Sequence, residues 1–254
     1  MITAEKLNKL YHEQDTNEDN RFVFLYSFFP VALGTRRVSL VPWFEFDYKK
    51  KLENYKNTRR RELMSSEERL IIKRLGLNAI ELKPTYRALR FEIVPLDRYF
   101  LVKEGDEIEN ELRQMIHDKS TDMTKREGAV LDYPKCCVDE FLSDHAASIT
   151  PDVRLQAQTK LWNEKGRAIN PLSFYTWGFV PCKPNCEKAA ERGRKILEKY
   201  KELDMELYDG YAAFLEYHVS RALNGNAEQL IERIEEVKSL PQFGPDFVTG
   251  FWQG

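Results

Sequence analysis

Four cysteines stand out in the 254-residue chain by type and spacing: the adjacent pair Cys136 and Cys137, and the pair Cys182 and Cys186 with three residues between them. An ionised cysteine is both a soft metal ligand and a nucleophile. Four in a chain of this length are too few for a secreted disulfide scaffold, and clustered thiols in a reducing cell more often hold metal or do redox work. The pattern therefore predicts that both pairs converge on one metal centre, across the 44 residues between Cys137 and Cys182.

Each pair lies beside an expected helix start. In LDYPKCCVDEF, Asp132 is placed to cap, and Pro134 to enter the first turn of, a helix running to about Ser143. In FVPCKPNCEKAAERGRKILEKY, Asn185 is placed to cap a helix whose first residue is Cys186, leaving Cys182 in the approach loop. Free amide N–H groups and the positive end of the helix dipole stabilise a thiolate, so two such ends facing each other make a thiolate nest. Pro134, Pro181 and Pro184 stiffen both approaches and lower the cost of ordering the ligands.

Three readings of this constellation stand. The first is a [4Fe-4S] cluster, because a cubane offers separate iron corners to neighbouring thiolates and so accommodates an adjacent pair. Ligation by all four cysteines suits electron transfer or a structural role, whereas ligation by three leaves an iron open for substrate or sulfur chemistry. The second is zinc, which usually takes separated pairs; the Cys182–Cys186 half suits it, while adjacent ligands to one small tetrahedral ion demand an awkward backbone. That reading gives a zinc-stapled interaction or RNA-binding module. The third is a thiol-disulfide protein without metal. No catalytic residue is assigned in any of them.

The segments YPKCCVDEF (Tyr133 to Phe141) and VPCKPNCEKAAERGRKI (Val180 to Ile196) resemble the two signature segments of an archaeal and bacterial family, the domain-of-unknown-function family numbered 483. The resemblance covers roughly Val130 to Tyr200 and implies that the four cysteines act together; it carries no activity. The doublet and spaced pair are also similar to the cluster-binding cysteines of one epoxyqueuosine reductase type, which implies tRNA-modification chemistry. There the second pair has two intervening residues, and here it has three.

Other candidates are weaker. His145 could ligate metal or donate a proton, but a histidine near a helix C-terminus also simply complements the dipole. His117 and His218 lie on expected helices with no partner spacing, and His12 sits near the N-terminal break. Asp132, Asp139, Glu140 and Glu187 flank the cysteines, where a carboxylate tunes a cluster or caps a helix. Arg192 and Arg194 follow Cys186 and could face an anion. The run KKKLENYKNTRRRE (Lys49 to Glu62), with Tyr48 and Tyr55 interleaved, could contact a phosphate backbone, though a solvated helix face explains it more simply. The chain has no P-loop, dinucleotide fingerprint, CxxxCxxC, HExxH or GxSxG.

The elements that must position these residues follow from periodicity. Thr3 can cap a helix carrying Leu7, Leu10 and Tyr11 on one face. The aromatic stretch Arg21 to Pro30 and the run Arg36 to Trp43, joined through Gly34, read as paired strands. Apolar residues at Tyr48, Leu52, Tyr55 and Leu63 suggest a helix, and Ser65 with Glu68 forms a capping box before a helix that Gly76 closes. Ala79 to Gly105 reads as short strands broken at Pro84 and Pro95. Beyond Gly105, helices are expected around EIENELRQMIH, CCVDEFLSDH and PDVRLQAQTKLWNEKG, then in three amphipathic blocks: Ile196 to Tyr200, Leu207 to Val219 and, after a break at Gly225, Leu230 to Val237. The aromatic tail FGPDFVTGFWQG is expected to dock.

The expected fold class is α+β: a small α/β layer over 1–104 and a helical four-cysteine domain over 105–254, or one continuous domain. Hydrophobic residues are 42% and charged residues 31%, with 39 basic against 41 acidic, which excludes a disordered tail or a generic polyanion binder. No run approaches the roughly 20 apolar residues of a membrane span, and MITAEKLNKLYHEQ is too charged for a signal peptide. A cytoplasmic protein is expected, with a small molecule or RNA as partner.

Overall fold

The computed structural model describes residues 2–13, 18–42, 66–82, 85–89, 92–96, 98–117, 123–143 and 151–225. It is an α+β fold, mostly helical, in two compact units: 1–126 with 130–132, and 127–129 with 133–253. The basic run Lys49 to Glu62, the helix expected over Tyr48 to Leu63, Ser65, His145, the Leu230 to Val237 helix and the aromatic tail lie outside the described residues.

The first unit opens with α1 (Ala4–Glu13), whose Leu7, Leu10 and Tyr11 are buried as their spacing requires. The hydroxyl of Thr3 accepts from the Lys6 amide at 3.3 Å, as an N-cap. The expected strand over Arg21 to Pro30 is not there. The chain is helical from α2 (Glu18–Val23) through a π-helical turn (Phe24–Phe28) into α3 (Phe29–Leu33). Propensity misled because burial is uninterrupted: Val23 to Ala32 are all buried, so the run shows no alternation, and a short all-apolar stretch reads alike as strand or helix. Arg36 then donates from Nη1 to the Tyr26 carbonyl at 3.0 Å, within the π turn. Gly34, at φ 76°, ends the helix in the left-handed conformation that a side chain resists.

Strand β1 (Val38–Pro42) pairs instead with β5 (Arg98–Lys103), which also pairs with β2 (Leu77–Glu81), giving the antiparallel order β1-β5-β2. Phe100, Leu101 and Val102 are fully buried, as a central strand covered on both faces demands. Helix α4 (Ser66–Arg74) precedes β2 through Gly76, and β3 (Thr85–Leu89) and β4 (Glu92–Leu96) form a separate hairpin. Helix α5 (Ile108–His117) belongs to this unit: Asp106 accepts from the Ile108 amide, and Asn78 of β2 donates to Glu109.

The second unit is helical. Following α6 (Met123–Val130), it comprises α7 (Lys135–Ser143), α8 (Pro151–Glu164), a 3-10 turn (Pro171–Phe174), α9 (Glu187–Leu203) and α10 (Met205–Asn224). Asp204 separates the last two, its carboxylate accepting from the amides of Glu206 and Leu207. Ile196 and Tyr200 of α9 and Leu207, Tyr211, Phe214 and Leu215 of α10 are buried, following the helical period. No described helix is long and apolar enough to cross a membrane.

Candidate metal centre

The sharp turn at Tyr133 and Pro134 brings the first pair in. Asp132 sits in the turn at φ 55°, and the Tyr133 amide donates to the Gly128 carbonyl. The residue before α7 is Pro134, whose carbonyl accepts from the amides of Cys137 and Val138. Cys136 and Cys137 are thus the second and third residues of a helical first turn. Their sulfurs lie 3.9 Å apart, so the adjacent pair spans one short edge without leaving helical geometry.

The second pair comes from the loop before α9. Its N-cap is Cys186 itself, one residue later than the expected Asn185, and α9 starts at Glu187. The Asn185 Oδ1 is buried with no hydrogen-bond partner among the described residues. Backbone bonds fix the loop: Gln158 donates to the Pro181 carbonyl, Asn170 N–H to the Pro184 carbonyl, and Ser173 Oγ to the Cys186 carbonyl at 3.1 Å. Between α9 and the 3-10 turn there is no spare room, because a Cβ on Gly193 would stand 2.3 Å from the Leu172 carbonyl oxygen.

All four sulfurs lie within 4.8 Å of one another. Cys186 Sγ is 3.8 Å from Cys136 Sγ and 3.7 Å from Cys137 Sγ, and the Cys182 amide donates to Cys137 Sγ at 3.3 Å. Cys137 and Cys186 are buried; Cys136 and Cys182 are half-buried, and all four are free thiols. The structure therefore brings together every cysteine the sequence singled out. The acids beside them are placed otherwise: Asp139 is exposed and paired with Lys135, and Glu140 and Glu187 are exposed.

Burial and mutual proximity shift three of the four thiols. Burial pushes the Cys137 thiol far up, only partly offset by the Cys182 amide. Burial, then the neighbouring Cys186, pushes Cys182 up to about 12. Burial acts on Cys186 in the same direction but is outweighed by the Ala189 amide and the three other thiols, which lower it. Several like charges this close repel one another, a repulsion that a bound cation would relieve.

One buried histidine escaped the sequence reading. His218 of α10 is 3% exposed, stacks on Trp177 at 4.8 Å and 17°, and sets Nδ1 3.0 Å from the Phe174 carbonyl. Its signal was the helix period: it continues the face of Leu207, Tyr211, Phe214 and Leu215.

The fold and site together define an α+β protein whose helical unit carries four thiols able to hold a metal ion. A family described as a protein of unknown function, DUF483, matches residues 96–208, the stretch holding all four cysteines. The uncharacterized protein MJ1106 of Methanocaldococcus jannaschii is 30% identical over 101 residues, covering 36% of this chain and 54% of the relative. The matched stretch thus spans about half the relative's length, and the similarity to the DUF483 family extends over residues 96–208. No solved structure matches.

Proposed function

We propose that the four cysteines hold one tetrahedral metal ion, zinc, and that this ion staples the helical unit. The observation that carries the reading is the sulfur spacing. Zinc-sulfur bonds of about 2.3 Å define a tetrahedron with an edge of about 3.8 Å. Cys186 to Cys137, Cys186 to Cys136 and Cys136 to Cys137 are 3.7, 3.8 and 3.9 Å apart at sulfur. A four-iron cubane interposes iron between its thiolates and spreads them to about 6 Å, beyond the 4.8 Å that bounds this cage. A disulfide needs sulfurs at about 2.05 Å. Four sulfur donors, with no oxygen or nitrogen donor joining them among the described residues, also suit zinc in a closed, structural site.

The iron-sulfur reading retains one specific support, the adjacent doublet, which separate iron corners accommodate readily. Thiolate ligands persist where thiols stay reduced, so the reading places the protein in the cytoplasm. Anaerobic purification, metal and sulfide analysis and an absorption spectrum decide the cofactor. The expected result is one zinc per chain, colourless, with Cys137→Ser and Cys186→Ser each losing at least nine-tenths of the metal. Brown protein with iron and acid-labile sulfide replaces zinc by the cluster. Metal-free protein with four titratable thiols, or unchanged zinc in both variants, overturns the assignment altogether.

A further inference from the structure

Two of the cage's four sulfurs belong to the half-buried Cys136 and Cys182, and the other two to the buried Cys137 and Cys186. A solute in water therefore meets Cys136 or Cys182 first. Oxidants attack the thiolate they can reach, and its fate depends on which second thiol stands beside it. For the first pair that thiol is Cys186, whose sulfur lies 3.8 Å from Cys136 and 3.7 Å from Cys137. A disulfide, with sulfurs about 2.05 Å apart, requires either contact to close by under about 2 Å. The other short contact is disfavoured by the chain itself. Cys136 and Cys137 are 3.9 Å apart at sulfur but are neighbours in a helix. Neighbouring Cα atoms stand about 3.8 Å apart, below the separation of about 4.4 Å at which disulfides ordinarily begin. A bridge from Cys182 to Cys186 would work against the turn between them, where the Cys186 amide donates to the Lys183 carbonyl at 2.9 Å and the Asn170 amide to that of Pro184 at 3.0 Å.

We propose that the cage is a hydroperoxide-sensitive modification site, in which oxidation joins Cys136 to Cys186 and releases the ion. The ion in this scheme rests on the zinc reading above; the sulfur pair rests on geometry alone. The Cys136 thiolate attacks the outer oxygen of a hydroperoxide: an S–O bond forms, the O–O bond breaks, and alkoxide leaves, or hydroxide where the oxidant is hydrogen peroxide. The Cys186 thiolate then attacks the sulfenic sulfur, forming the S–S bond and expelling hydroxide. The thiolate pair loses two electrons, the hydroperoxide gains them, and two protons from solvent neutralise the leaving groups. Cys137 and Cys182 remain, half of the donor set that a closed zinc site needs, so the ion dissociates. The new bridge joins positions 50 residues apart and ties the same two segments that the ion held. One staple replaces another: the metal leaves, the helical unit stays folded, and thiol reductants reverse the exchange.

Hydrogen peroxide is titrated into the zinc-loaded full-length protein, and release is read with a chromophoric chelator. Free thiols are then capped with one alkylating reagent, the bridge is reduced, and its cysteines are labelled with a second reagent for mass spectrometry. One zinc should leave per bridge formed, with the second label on Cys136 and Cys186 and the first on Cys137 and Cys182. The oxidised protein should melt well above the reduced, metal-stripped protein, and a dithiol with added zinc should restore the starting state. Cys136→Ser, compared with the native chain after both are reduced and stripped of metal, should bridge at least tenfold more slowly, because its remaining short contact joins two buried cysteines. Zinc absent before peroxide is added sinks the ion reading alone, and the same labelling of the reduced chain still decides the sulfur pair. A second label confined to the doublet or to the later pair, sulfinic acid in place of a bridge, or zinc retained with four intact thiols overturns the proposal.

Discussion

Cys186 occupies the N-cap position, where a serine or aspartate would ordinarily stand, and its sulfur belongs to the cage. Helix start and ligand are thus one residue, which couples the order of α9 to the protonation of the site. The cysteine types and their spacing were legible because thiols are rare and each pair stands beside a proline and a polar turn. The cap was legible only to within one residue: Asn185 and Cys186 both precede the first helical turn, and the choice rests on backbone dihedrals that composition does not encode. His218 poses a different problem at the same scale. Its pKa is lowered from 6.5 to about 4 by burial, so protonation favours the unfolded chain. The stability tied to the neutral ring is fully present above about pH 6.5 and is lost as pH falls towards 4, a loss on the order of 3 kcal/mol. Thermal melting from pH 7.5 to 4 should therefore fall more steeply in the native chain than in His218→Gln, which keeps an N–H for the Phe174 carbonyl. Protons compete with the metal at the thiolates of both proteins, so the difference between the two curves isolates the histidine. Parallel curves would reject this account.

Among the elements, the short 3-10 turn Pro171–Phe174 has an influence out of proportion to its four residues. Asn170 caps it, its side chain accepting from the Leu172 amide, and three groups around it reach outward: Asn170 N–H to the metal loop, Ser173 Oγ to Cys186, and the Phe174 carbonyl to His218. Gly193 lets α9 lie directly on this turn. Gly193→Ala forces a Cβ to within 2.3 Å of a backbone carbonyl, which cannot swing aside as a side-chain end would. Such overpacking costs about 1–3 kcal/mol. Because the displaced turn also holds the Cys186 carbonyl, zinc affinity measured by competition with a chromophoric chelator should fall about tenfold alongside the melting temperature. A stable variant of native affinity would show that the turn is free to shift. Nothing in the local sequence marks its contacts, which arise from segments far apart. The Arg21 to Pro30 helix eluded pattern reading for a related reason: its strand-favouring aromatics are buried on every side, and tertiary burial overrides local preference. Where one face of a helix meets solvent, as in α1 and α10, the pattern and the structure agree.

At the scale of the whole molecule, the helical unit draws its cage from two segments that only the folded chain brings together, and the sheet of the first unit sets β1 and β2 on either side of a central strand, β5, with a fully apolar middle. A site with no counterpart in the unfolded chain makes its binding free energy part of the folding free energy. Metal at about a thousand times its dissociation constant adds about 4 kcal/mol. For a unit of roughly 100 residues that raises the midpoint by on the order of 15–30 °C. Stripping the ion from the full-length protein with a chelator at neutral pH should therefore lower one melting transition by an amount in this range. Hydrogen exchange on the same sample should show faster exchange across 170–203, where the metal loop and α9 depend on the cage, and little change across 98–103, whose protection rests on the strand ladders either side of β5. Restoring zinc should reverse both effects, while magnesium, which prefers six oxygen ligands, should not. A chelated protein with native exchange across 170–203 would mean that the thiols converge for packing alone, since a staple whose removal loosens nothing contributes nothing to the fold.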